Sequence, residues 1–122
     1  MSIAHAGRAL RDGTLTATDL LVSVLRKASE TEAQIHAYLN IDRTGAEEAA
    51  ARADADFGDG IDRGPLQGIP MALKDNMVTR GLETTAASQI LAGYVPPYDA
   101  TVVTKLRNAG AVIVGKTNLD EF

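Results

Sequence analysis

Residues 110–117 read Gly-Ala-Val-Ile-Val-Gly-Lys-Thr. Val112, Ile113 and Val114 are β-branched, and no polar residue interrupts them, so the run prefers a strand to a loop. A strand apolar on both faces belongs in the middle of a parallel sheet, with neighbouring strands at its edges and helices over both faces. The rest of the chain offers one further good strand, at 71–74, and a weaker extended piece near 38–41. The expected fold class is therefore α/β, and the chain reads as the N-terminal piece of a larger α/β protein, poorly stable by itself.

The same eight residues spell G-x-x-x-x-G-K-[ST], the phosphate-cradling loop of many nucleotide-binding proteins. That loop needs a strand before it and a helix directly after it. Here a helix precedes: Asp99 is a candidate cap, and Val102, Val103, Leu106 and Ala109 form one apolar stripe. Gly110 fits the left-handed position just past a helix end. Residues 111–114 are thus a core strand, the nucleotide match is accidental, and Lys116 reads as a solvated lysine at the strand's end.

Three further helices are expected before residue 60. One spans about Ser2 to Arg11 and stops at Asp12-Gly13. A second opens at a capping box of Thr16 and Asp19, carries Leu20, Leu21, Val24, Leu25 and Ala28 on one stripe, and runs to about residue 33. A third, rich in alanine, opens at Thr44 with Glu47 and reaches about Phe57. Core packing explains these stripes, although a partner helix could dock on the same pattern. Gly58 to Gly64 is a turn-rich linker, Thr79 to Ser88 a polar loop, and Ser88 a cap for a short helix through Leu91. Asn118 with Glu121 looks like the start of another helix. Residues 1–60 form a helical region and 61–122 the start of an α/β core within a single domain.

Composition narrows the chemistry. Net charge is −4 with no basic block, which leaves no electrostatic footprint for nucleic acid. The chain has no cysteine, so disulfides and thiol catalysis are excluded, and its two histidines, His5 and His36, stand apart without carboxylate-rich surroundings. No metal site is expected. The absence of a basic segment leading into a long apolar run predicts a cytoplasmic, membrane-free protein. The remaining candidate base is Lys74, which follows Met-Ala-Leu at a strand end approached through Gly64-Pro-Leu-Gln-Gly-Ile-Pro70. Desolvated there, its amine could act as a general base, although most strand-end lysines reach solvent.

The segment Gly64-Pro-Leu-Gln-Gly-Ile-Pro-Met-Ala-Leu-Lys-Asp-Asn76 resembles the amidase signature family, whose lysine lies in a Gly-x-Pro-x-x-x-Lys-Asp block. Residues 109–118 are similar to the family's next block. Residues 81–85, 94–103 and 118–122 are most similar to one branch, the glutaminase subunits of tRNA-dependent amidotransferases.

The resemblance implies an amidase signature fold, with N-terminal helices leading into the first strands of a mixed, helix-covered sheet that is incomplete in this chain. It implies a Ser–cis-Ser–Lys mechanism, with Lys74 as general base, glutamine as amide donor, and an oxyanion site of backbone N–H groups. It implies two partner subunits, with tRNA met through the complex, and ATP and Mg²⁺ used at a partner subunit rather than bound by this chain. Neither catalytic serine matches Ser2, Ser23, Ser29 or Ser88, so these 122 residues alone are expected to be inactive. Another amidase signature hydrolase of small-molecule amides, or a non-catalytic interaction fragment, remains the alternative.

Overall fold

A computed structural model describes all residues, 1–122. Helix α1 (Ile3–Asp12) begins at Ser2, whose hydroxyl accepts the His5 N–H at 3.2 Å, and ends at Gly13 with φ 76°. Helix α2 (Ala17–Ile35) begins at Thr16, whose Oγ1 accepts the Asp19 N–H at 3.0 Å. The first turn of α2 has a second cap from a distant residue. The Asp54 carboxylate, on α3 (Arg43–Gly58), accepts the N–H groups of Ala17 (2.6 Å) and Thr18 (3.1 Å) and the Thr18 hydroxyl (2.7 Å). Orphan N–H groups at a helix start are satisfied this way, and the bond ties α2 to α3.

Strand β1 (Tyr38–Ile41) leads into α3. The cap of α3 is Asp42 rather than Thr44: its carboxylate accepts the Gly45 N–H at 3.0 Å, while Glu47 faces Arg43 at 3.9 Å instead of closing a box. Strand β2 (Pro70–Lys74) follows the Gly/Pro-rich approach. That approach is shaped by the buried Gln67, whose side chain accepts from Arg63 N (2.5 Å) and donates to Ile61 O (3.0 Å). A short 3₁₀ turn (Gln89–Leu91), capped by Ser88 as expected, precedes helix α4 (Thr101–Asn108). Asp99 does not cap α4. Its carboxylate accepts the Arg80 N–H at 2.7 Å and pairs with Arg107 at 3.2 Å, and the helix starts two residues later.

Strand β3 (Val112–Thr117) is the centre of a three-stranded mixed sheet in the order β1-β3-β2. It runs antiparallel to β1 and parallel to β2, with Lys74 beside Thr117. Gly110 is left-handed, φ 75°, as a helix end requires. Gly115 is needed for a different reason: a Cβ there would collide with Asn40 O, where β1 bulges across β3.

Both faces of β3 are covered. On one, Val112 and Val114 pack with Ile69 against Leu10 of α1, Leu21 and Leu25 of α2, and Ala46, Ala50 and Ala53 of α3. The alanines let α3 approach the sheet closely. On the other face Ile113 packs with Leu73 and with Val103 of α4. Of the stripe expected on α4, Val103 is buried while Val102 is exposed. Residues 118–122 form no helix. The Asn118 N–H donates to Ala37 O (2.7 Å), and Glu121 accepts from Ser88 Oγ (2.7 Å) instead of reaching back to residue 118.

Candidate active site

In open α/β sheets, ligands meet the protein outside the carboxyl ends of parallel strands. The two parallel strands here end side by side, at Lys74 and Thr117, and the loop that follows β2 folds back over those ends. Lys74 is the last residue of β2 and is exposed, so the desolvation considered for it is not supplied by these 122 residues. Its backbone is held firmly even so. The Lys74 carbonyl accepts the Met77 N–H (2.9 Å), and the next N–H, of Asp75, donates to Thr117 O (3.0 Å).

Directly behind Lys74 lies a feature of the opposite character. Asp75 and Lys116 are both closed off from solvent, and Lys116 Nζ stands 3.0 Å from Asp75 Oδ1. The expectation of a solvated Lys116 is therefore wrong. The strand continues through Thr117, and its penultimate side chain turns inward to a carboxylate from the end of β2. This also removes the phosphate-cradle reading, because residues 112–117 are strand rather than loop and the lysine is already engaged.

The hydrogen bonds of the pair go to the loop after β2. Lys116 Nζ donates to Met77 O (2.9 Å) and to Thr84 Oγ1 (3.0 Å). Asp75 Oδ2 accepts the Thr85 N–H (2.9 Å) and the Thr85 hydroxyl (2.7 Å). Oδ1 takes no well-angled hydrogen bond and meets Lys116 as an ion pair only.

The same loop holds two consecutive alanines in left-handed conformation, Ala86 (φ 50°) and Ala87 (φ 57°). Such backbone costs about 1–3 kcal/mol per residue and persists where surroundings over-determine it. Here the Ala86 N–H donates to Asp75 O (3.0 Å), the Ala87 N–H to Thr85 Oγ1 (3.2 Å), and the Phe122 N–H to Ala86 O (3.1 Å). No residue type in this loop signals the turn, since alanine is an unusual choice for positive φ.

The serines are engaged in local structure. Ser2 and Ser88 are caps, Ser29 Oγ donates to Arg26 O (2.8 Å), and Ser23 is exposed on α2. His5 and His36 are both exposed. A groove of about 350 Å³, lined by Asp42, Arg52, Asp56, Arg63 and Arg107 among others, lies away from Lys74. Two of its arginines are already paired, Arg63 with Asp56 (2.7 Å) and Arg107 with Asp99. The groups whose proton affinity shifts also lie away from β2. A hydrogen bond from Arg11 holds the Asp62 carboxyl down at about 2, and burial pushes the Tyr38 hydroxyl up. No helix is long and apolar enough to cross a membrane.

The geometry has counterparts among known proteins. The chain is 45% identical, over its whole length, to the A subunit of glutamyl-tRNA(Gln) amidotransferase from Cutibacterium acnes. It is 48% identical over the same span to the corresponding protein of Desulfatibacillum aliphaticivorans. It covers 24% and 25% of those two proteins, so it spans about a quarter of the length of the curated relatives it matches. Among solved structures, the peptide amidase of Stenotrophomonas maltophilia superposes with a TM-score of 0.94 at 36% identity, over 99% of this chain and 25% of that one. The Amidase family model matches residues 19–122. The chain, with the N-terminal helices and partial mixed sheet of that fold, belongs to the Amidase family.

Proposed function

We propose that this chain is the N-terminal part of the amidotransferase subunit that hydrolyses glutamine to supply ammonia for converting Glu-tRNA(Gln) to Gln-tRNA(Gln). The observation that carries it is Lys74. It stands at the carboxyl end of a parallel strand, solvent-facing, in the Gly68-Ile-Pro-Met-Ala-Leu-Lys-Asp75 block, on a backbone fixed on both sides. The names of the most similar relatives support the amidotransferase branch.

In this scheme Lys74 is the general base. It draws a proton through a bridging serine from a nucleophilic serine, and that oxygen attacks the side-chain carbonyl of glutamine. Collapse of the tetrahedral intermediate expels ammonia, and water then releases the acyl group as glutamate. Both serines come from outside these 122 residues, which by themselves should release no ammonia. Two partner subunits complete the assembly, ATP and Mg²⁺ act at one of them, and tRNA is met through the complex.

The test is purification of the whole protein with the subunits that accompany it, followed by an ammonia assay on glutamine. Glutamine-dependent release from a three-subunit complex is expected. A second reading, hydrolysis of other small amides by a lone enzyme, draws on the likeness to peptide amidase. Isolation without partners, together with turnover of simple amides in preference to glutamine, would replace the first reading by the second.

A further inference from the structure

The buried pair Asp75–Lys116 has no part in the scheme above, and its bonding pattern shows what it does. A buried ion pair is a weak source of net stability, since desolvating both charges offsets most of their attraction. Its hydrogen bonds, in contrast, are directional. All four that the two side chains make end on residues 77–85, in the segment that leaves Lys74: Met77 O, Thr84 Oγ1, and both the N–H and hydroxyl of Thr85. The backbone of Asp75 completes the frame, donating to Thr117 O and accepting from Ala86 N. One residue is thus bonded to β3, to the loop and to the strained turn, and that residue is covalently next to Lys74.

We propose that Asp75 and Lys116 are positioning residues for Lys74, fixing the end of β2 and the turn at 84–88 so that an otherwise solvent-facing lysine is delivered to one place. The proposal rests on Lys74 being the general base. Its physical basis is that a base misplaced by about 1 Å can lose on the order of a hundredfold in rate with substrate binding little changed. Both side chains are closed off from solvent and make their hydrogen bonds to residues 77–85, so the role assigned to them is positioning rather than contact with substrate.

The test uses the whole protein with its co-purifying subunits, assayed for ammonia release from glutamine. In Lys116→Met, kcat per folded molecule is expected to fall about tenfold to a hundredfold, with KM for glutamine within about threefold. The folded fraction is taken from circular dichroism at the assay temperature. A folded Lys116→Met with kcat within about twofold of the parent overturns the proposal. If Lys116→Met does not fold, Thr84→Val decides, since it keeps the ion pair and removes one acceptor of Lys116 together with the local bond from Thr84 Oγ1 to Leu82 O. It should lower kcat about threefold with the same kcat-against-KM split, and an unchanged kcat overturns the proposal.

Backbone amide exchange supplies a readout independent of turnover. Residues 74–77 and 85–88 should exchange about tenfold faster or more in either variant while α1 and α2 stay unchanged, and equal exchange throughout contradicts the coupling. Lys74→Ala separates the two levels. If it is inactive while Lys116→Met is normal, only the positioning claim falls. If it is fully active, the base assignment falls and the positioning claim falls with it.

Discussion

Lys116 Nζ and Asp75 Oδ1 lie 3.0 Å apart across the adjoining ends of β3 and β2, and neither side chain is open to solvent. Removing one partner strands a buried charge, a loss of about 3–5 kcal/mol, whereas replacing both by neutral groups of similar size costs far less. Lys116→Met and Asp75→Asn should therefore each destabilise strongly, and the double variant should recover much of the loss. Urea unfolding of the whole protein, run as a double-mutant cycle, measures the coupling. Additive losses would show that the pair is not energetically linked.

Asp54 stabilises a helix that is not its own. Its carboxylate caps the first turn of α2 from α3 by way of Ala17 and Thr18. Asp54→Ala should cost about 0.5–2 kcal/mol, the usual range for a lost cap. Hydrogen exchange of residues 17–20 should rise more than that of α4, and equal protection in parent and variant would contradict the assignment.

The Arg11–Asp62 pair sets an acid limb. Arg11 Nε stands 2.7 Å from Asp62 Oδ2, and this bond holds the Asp62 carboxyl at about 2, below an unfolded value of about 3.9. A depressed carboxyl contributes stability that is present above pH about 4 and is lost as pH falls towards 2. Both side chains are well exposed, so the contribution is small and weakens with salt. Asp62→Asn should flatten the loss of melting temperature between pH about 4 and about 2, and an unchanged acid limb would refute it.

Local signals are legible in the sequence and distant ones are not. Ser2, Thr16, Ser88 and Gly110 hold the cap positions their residue types suggest, because a cap is decided within a turn of chain. Thr44 misleads because Asp42, two residues earlier, takes the Gly45 N–H; Asp99 misleads because its carboxylate is claimed by the Arg80 N–H and Arg107, and α4 starts with no side-chain cap. Lys116 reads as solvated because its carboxylate, Asp75, lies 41 positions earlier in the chain. Plain strand alternation misleads here as well: it would put position 116 in step with Val112 and Val114, but the register slips by one between Met71 and Ala72, so Lys116 lies beside Leu73 and turns to the loop after β2. The place of Lys74 at the end of a strand is legible from its block, and its exposure is that of an ordinary strand-end lysine; burial there depends on what packs outside the strand.

The most direct measurement is ammonia release from glutamine by the whole protein carrying Lys74→Ala. Loss of about a hundredfold or more in kcat, with the fold intact by circular dichroism, is the result predicted for removal of a general base. A folded Lys74→Ala protein with kcat within about tenfold of the parent would contradict the account at its centre.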